Sequence, residues 1–224
     1  MKTILIVARH GNTFDKGDVI LRVGVRTDLP LTLEGRKQGA RLAERLRERG
    51  LTPRRVFVAP LLRTQETGRE IANAFALDSE PTLEPFLTEF DYGEDDGKPE
   101  KETTIRLGRC EAEAGEGNGS DDYESLGKIA LKRWDSERRA PLGWSFLNSR
   151  VASLPSEWRA FANNLARERQ GETIVAVTSN GVARFALDIL PDDASKPEQS
   201  KLSTGAFGVF EYDGERWTLK EWNV

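Results

Sequence analysis

The chain has 224 residues, with 33 Lys and Arg against 37 Asp and Glu, a net charge of −4 and 38% hydrophobic residues. That length and apolar content suit one packed domain and exclude a disordered chain; the mildly acidic balance argues against a nucleic-acid binder, which carries a basic face. A single cysteine, Cys110, excludes a disulfide-stapled scaffold, and there is a single histidine, His10.

Residues 3–8 are a continuous apolar run rich in β-branched side chains, which predicts a strand buried on both faces. Arg9 and His10 end the run too early for a signal-peptide core or a membrane span, so a soluble, cytoplasmic protein with no membrane partner is expected. A polar loop covers 11–31. Thr32 is a good N-cap for a helix with Glu34 in its first turn, Leu42 and Leu46 on its apolar stripe and Gly50 at its end. Residues 55–58 predict a second strand, and Pro60 turns the chain into another amphipathic helix with Leu62, Ile71 and Phe75 as core positions. Strand and helix alternating at these lengths imply parallel strands with crossovers.

Between about 94 and 145 the composition turns acidic, through Asp95, Asp96, Glu111, Glu113, Glu116, Asp121 and Asp122, and the run from Gly115 to Ser120 has linker character. The stretch 123–137 regains helical character. We read 94–145 as an insertion, a lid over one end of the sheet without a core of its own. Its acidity is that of a solvated face or, on a sharper reading, of a lid that repels strongly anionic ligands. Beyond it, 157–171 predicts an amphipathic helix, and 173–178 a second buried strand running into Ser179, Asn180 and Gly181 and a helix through Leu190. A hairpin closes the chain, from 205 to 212 and from 217 to 222, with its turn at Asp213 and Gly214. Terminal hairpins usually cap their own sheet, so no oligomer is inferred. The expected fold is α/β: a three-layer sandwich with a mostly parallel central sheet, helices on both faces, and a C-terminal hairpin, in one domain over 1–224.

In open α/β sheets, ligands bind beyond the carboxyl ends of the strands. There this chain places Arg9, His10 and Gly11, then Arg63, then Ser179, Asn180 and Gly181 ahead of a helix N-terminus. Two guanidiniums, an imidazole and a helix terminus converging on one place describe a pocket for phosphate oxygens. No Cys, His or carboxylate cluster has metal-ligand spacing, so neither metal nor cofactor is expected.

Arg9, His10, Gly11, Asn12 and Thr13 resemble the signature of the histidine phosphatase superfamily, the phosphoglycerate-mutase-like family. Leu31, Thr32, Gly35 and Gln38 are similar to its helix start, and 58–67 to its second arginine motif. The stretch 87–93, with Gly97 beyond, resembles the segment carrying its acid, and 177–184 its last motif. The resemblance implies His10 as a nucleophile that forms a phosphohistidine and Glu89 as general acid and base. Arg9 and Arg63 would hold the phosphoryl oxygens, with Asn12, Ser179 and Asn180 as further phosphate contacts. Acids near Glu89 (Asp91, Glu94, Asp95, Asp96) would help keep it protonated near neutral pH.

Two departures bear on activity. The family's last motif has a second histidine where this chain has Ser179. A hydrogen bond from a charged group contributes about 1.5–3 kcal/mol against about 0.5–1.5 for a neutral one, so the exchange costs roughly one to two powers of ten in rate. Lys16 and Arg22 are candidates to restore the charge. Where mutases of the family have glycine, glutamate and serine, this chain has Gly143, Trp144 and Ser145. That favours hydrolysis of a small phosphorylated metabolite, yielding inorganic phosphate, over a mutase, with a non-catalytic phospho-ligand module as the alternative. Trp134 and Trp144 are read as anchors of the insertion or as an apolar pocket wall.

Overall fold

A computed structural model describes residues 2–116 and 121–224. Part of the linker read from the sequence, residues 117–120, lies outside the described residues. The chain divides into two compact units, one of residues 1–16, 28–89 and 154–224, the other of 17–27 and 90–153.

The first unit is built on a six-stranded sheet in the order β3-β2-β4-β1-β5-β6. Strands β1 (Thr3–Arg9), β2 (Arg55–Val58), β3 (Thr82–Leu83) and β4 (Thr173–Thr178) run parallel, while β5 (Phe207–Tyr212) and β6 (Trp217–Glu221) return antiparallel as the expected hairpin. In β1 and β4 the apolar runs lack alternation because both faces are covered. Ile6, Ala8, Val56, Val58, Val175 and Val177 pack with Leu42 and Leu46 of α1 (Leu33–Glu48) and Ile71 of α2 (Leu62–Ala74). On the opposite face Phe57 meets Phe161 of α5 (Asn148–Glu168) edge-on at 5.3 Å, and Phe86 meets Trp158 at 5.1 Å. The mixed sheet with helices on both faces is the fold the sequence predicts.

Capping chemistry sets the helix starts. The Thr32 hydroxyl accepts from Gly35 N at 3.1 Å, as expected of its N-cap. Helix α2 is capped from a distance, since Asp28 Oδ1 accepts from Leu62 N at 2.7 Å. Leu62 is accordingly at an exposed first-turn position and not in the core, whereas Ile71 is fully buried. Helix α5 starts nine residues before the position read from the sequence and carries Pro155 inside it. A proline in a helix interior gives up one hydrogen bond. The helix expected through Leu190 is short, with α6 (Asn180–Ala183) passing into a 3-10 segment at Arg184–Ile189.

The second unit is wider than the expected insertion at 94–145 and takes in residues 17–27 of the first loop. It also has the core that the sequence reading denied it. Phe90 meets Trp134 at 5.1 Å, Tyr92 meets Trp144 at 4.7 Å, and the two indoles lie 6.1 Å apart. Helices α3 (Glu100–Glu113) and α4 (Tyr123–Glu137) pack backbone to backbone: a Cβ on Gly108 would lie 1.7 Å from Tyr123 O, and one on Gly127 1.8 Å from Thr104 O. Buried Asp95 accepts from Trp144 Nε1 and from Arg106 Nε, each at 2.7 Å. Among the described residues no helix is long and apolar enough to cross a membrane.

Candidate active site

The parallel strands bring three chain segments to one end of the sheet. Arg9 stands opposite Thr178 in the β1–β4 register, and His10 N donates to Thr178 O at 3.0 Å, so His10 and Ser179 leave neighbouring strands side by side. Thr178 Oγ1 in turn donates to Leu87 O, which fastens the segment carrying Glu89 beside the end of β4. Arg63 enters from the first turn of α2 and is buried, at 1% exposure.

Residues of the sequence motifs that had no assigned chemistry build the loop under His10. Gly11 and Gly35 touch; a Cβ on Gly11 would lie 2.2 Å from Gly35 O. Gly11 N donates to Thr67 Oγ1 at 3.2 Å, Asn12 N to Gln38 Oε1 at 2.7 Å, and Thr32 N to Asn12 O at 3.0 Å. These bonds fix the backbone at both sides of the imidazole.

His10 is 7% exposed, and its Nδ1 lies 2.7 Å from Gly11 O. A carbonyl only accepts, so Nδ1 holds the ring proton and Nε2 keeps its lone pair. Burial, then the charges of Arg63 and of Arg9, push the ring well below the usual histidine range, with the Gly11 bond pulling weakly the other way. The imidazole is therefore neutral at physiological pH, the state a nitrogen nucleophile requires.

Glu89 is 8% exposed and accepts from Gly181 N at 3.3 Å. The sequence placed a helix N-terminus here for a substrate anion. The helix is four residues long, and the group its first turn receives is the Glu89 carboxyl. Glycine at 181 leaves room for this contact, because a Cβ would lie 2.1 Å from Glu89 Oε1 and displace the carboxyl.

Ser179 is 2% exposed, and its hydroxyl has no hydrogen-bond partner among the described residues. A buried, unsatisfied hydroxyl is costly and marks a place where an incoming group would complete it. Asn180 Oδ1 is already taken, accepting from Leu202 N at 2.9 Å. The two cations read as candidates to restore the charge are placed differently. Arg22 belongs to the second unit, where it pairs with Glu100 and lies 4.9 Å over the Trp144 ring, and Lys16 is exposed. The acids read as neighbours of Glu89 are also engaged inside that unit: Asp91 with Arg26, Glu94 and Asp95 with Arg106, Asp96 with Thr27 and two backbone N–H groups. Trp134 and Trp144 are core residues of the same unit. One element of the site went unread in the sequence, the loop 202–206: Gly205 N donates to His10 O at 3.2 Å and Arg9 Nη1 to Leu202 O at 2.8 Å. Its contacts are made by backbone atoms, which leave no residue-type signal.

The family model of the histidine phosphatase superfamily (branch 1) matches residues 5–124 and 110–224, and the chain belongs to that superfamily. A curated relative, named probable phosphoglycerate mutase GpmB, from Enterobacter sp. (strain 638), is 38% identical over 87 residues. The match covers 39% of this chain and 38% of that protein. Among solved structures, phosphoglycerate mutase from Bacillus anthracis superposes with a TM-score of 0.70 at 17% identity, over 99% of this chain and 93% of that one. A mutant phosphoserine phosphatase from Entamoeba histolytica in complex with phosphoserine gives 0.64 at 20% identity, over 99% and 96%. Mycobacterial glucosyl-3-phosphoglycerate phosphatase in complex with VO3 gives 0.66 at 18% identity, over 99% and 98%. The neighbours thus include phosphatases and mutases on one shared fold.

Proposed function

We propose that the protein is a phosphomonoester hydrolase that works through a phosphohistidine on His10. The observation that carries this reading is the buried imidazole, kept neutral beside two guanidiniums, with its proton on Nδ1 and its lone pair on Nε2. Arg9 and Arg63 hold the phosphoryl oxygens, with the Ser179 hydroxyl and Asn12 as neutral donors. Nε2 attacks phosphorus, the bond from phosphorus to the ester oxygen breaks, and protonated Glu89 gives its proton to the departing alcohol. The resulting carboxylate takes a proton from water as that water attacks the phosphohistidine. Inorganic phosphate leaves, and both groups return to their starting states.

The substrate class is a small phosphorylated metabolite; phosphoserine, bound in one neighbouring structure, and 3-phosphoglycerate, bound in another, head the panel to be tried. Ser179 stands where the family has its second histidine, so turnover is expected to be roughly ten- to a hundredfold below that of a two-histidine site. Purified protein should release phosphate from an aryl phosphate and from members of the panel well above a His10→Ala control, and an alkaline detergent quench should trap a phosphoenzyme that is stable to base and lost in acid. Ser179→His should preserve or raise the rate. The serine also favours a second reading, a phospho-ligand-binding module without turnover; binding of inorganic phosphate with no phosphoenzyme in rapid quench would select it over hydrolysis.

A further inference from the structure

Arg9 is steered by a backbone carbonyl, and that carbonyl is itself held from two sides. Arg9 Nη1 donates to Leu202 O at 2.8 Å. The same peptide group carries the N–H of Ser203, which donates to Asn223 Oδ1 at 2.7 Å. One residue earlier, Leu202 N donates to Asn180 Oδ1 at 2.9 Å. A peptide group is rigid, and its main freedom is rotation about its flanking Cα atoms. With its own N–H tied to Asn223, the plane cannot turn without breaking that bond, and the Asn180 bond holds the preceding peptide and so the Leu202 Cα about which the plane would turn; the oxygen stays aimed at the guanidinium. A hydrogen bond at the N–H also polarises the C=O and strengthens the bond it accepts.

The surroundings fit this purpose. Leu202 is fully buried, so the turn carrying it is anchored by packing as well. Asn223 sits at φ 58°, a left-handed conformation that asparagine tolerates better than most residues, and the next residue closes a pair of backbone bonds with Phe207. The C-terminal segment and the turn after β4 therefore meet on the two peptide groups that flank Leu202, next to the catalytic loop.

We propose that Asn180 and Asn223 are positioning residues that act on the substrate phosphoryl group only through Leu202 O and Arg9. This rests on Arg9 being a phosphate ligand, and it moves Asn180 from the phosphate shell to the support behind it. Asn223, on the exposed end of the relay, has no contact with substrate in this account.

A double-mutant cycle tests it, read on kcat/KM for an aryl phosphate and on the Kd of inorganic phosphate measured by calorimetry. Asn180→Ala and Asn223→Ala should each weaken both quantities by about three- to tenfold, the size of one lost hydrogen bond. Neither should have a further effect in an Arg9→Ala background. Asn223→Asp keeps an acceptor for Ser203 N and should restore most of the loss, an outcome a general packing defect would not give. Should Asn180→Ala fail to fold, the Asn223 arm completes the cycle alone. Additive losses for Asn180→Ala and Arg9→Ala, or an Asn223→Ala protein equal to wild type in both readouts, would overturn the proposal. Phosphate binding without turnover would overturn the hydrolase reading and leave the cycle to be decided on Kd; no phosphate binding by wild type would overturn both.

Discussion

The two units handle charge in opposite ways. In the second unit three arginines are matched to carboxylates: Arg22 to Glu100, Arg26 to Asp91, Arg106 to Asp95 and Glu94. Opposite charges held at contact stabilise a fold and leave little field outside it. In the first unit burial, and then two guanidiniums, act against an imidazole that would itself become a cation, and the ring stays neutral. That arrangement does not help folding. It prepares a place for an anion, whose arrival relieves the repulsion and meets a nucleophile already in its reactive state.

The largest effect that would break this contrast is at His10. His10→Ala should reduce phosphate release by roughly four or more powers of ten, since the covalent route disappears, while thermal unfolding stays near wild type. A rate within tenfold of wild type would remove the site from the first unit altogether.

Close-packed glycines sharpen the comparison. In Gly181→Ala the new methyl displaces the Glu89 carboxylate and should lower kcat by about a hundredfold with a small change in stability, because a displacement of about 1 Å is enough to misalign a proton donor. In Gly108→Ala the new methyl meets backbone between α3 and α4 and should cost about 1–3 kcal/mol or more in chemical denaturation. The two variants should thus fail in opposite assays.

Trp144→Phe keeps the aromatic packing and removes the indole N–H from buried Asp95. It should cost about 1–3 kcal/mol of stability by denaturant titration, as one bond to a buried carboxylate is lost.

The smallest effect is in pH dependence. An imidazole whose value is pushed down on folding binds its proton more weakly in the native state than in the unfolded chain. Below pH ~6.5 the unfolded state takes up the proton first, so stability falls with falling pH, by at most about 1.4 kcal/mol per pH unit, until the native ring also protonates. Above that range His10 has no effect on stability. His10→Gln should lack this share of the acid sensitivity, and the acid limb of wild-type activity should lie below the usual histidine range.

The fold was largely legible in local pattern. The runs at Thr3–Arg9 and Thr173–Thr178 could only be strands covered on both sides, and the Thr32 cap sits where its chemistry required. The placement of the candidate residues was legible in outline as well, because Arg9 ends β1 and His10 follows it, Ser179 follows β4, Arg63 lies in the first turn of the helix after β2, and a parallel sheet brings such positions to one end. Less legible were features that depend on distant partners. Pro155 reads as a break yet lies inside α5, and the α2 cap comes from Asp28, 34 residues away in sequence. The aromatic core around Trp144 joins residues with no shared periodicity.

Composition and order of residues by themselves determined the class of fold, the membership in the phosphatase superfamily and the identity of the one imidazole available for chemistry. Only the tertiary structure decided that this imidazole is neutral, that Glu89 accepts from the N–H of Gly181, and that the acids near Glu89 in sequence are engaged by arginines, a threonine and backbone N–H groups of the second unit. The reason is physical: residue type sets what a group can do, whereas its protonation and partners depend on burial and on charges brought close from far along the chain.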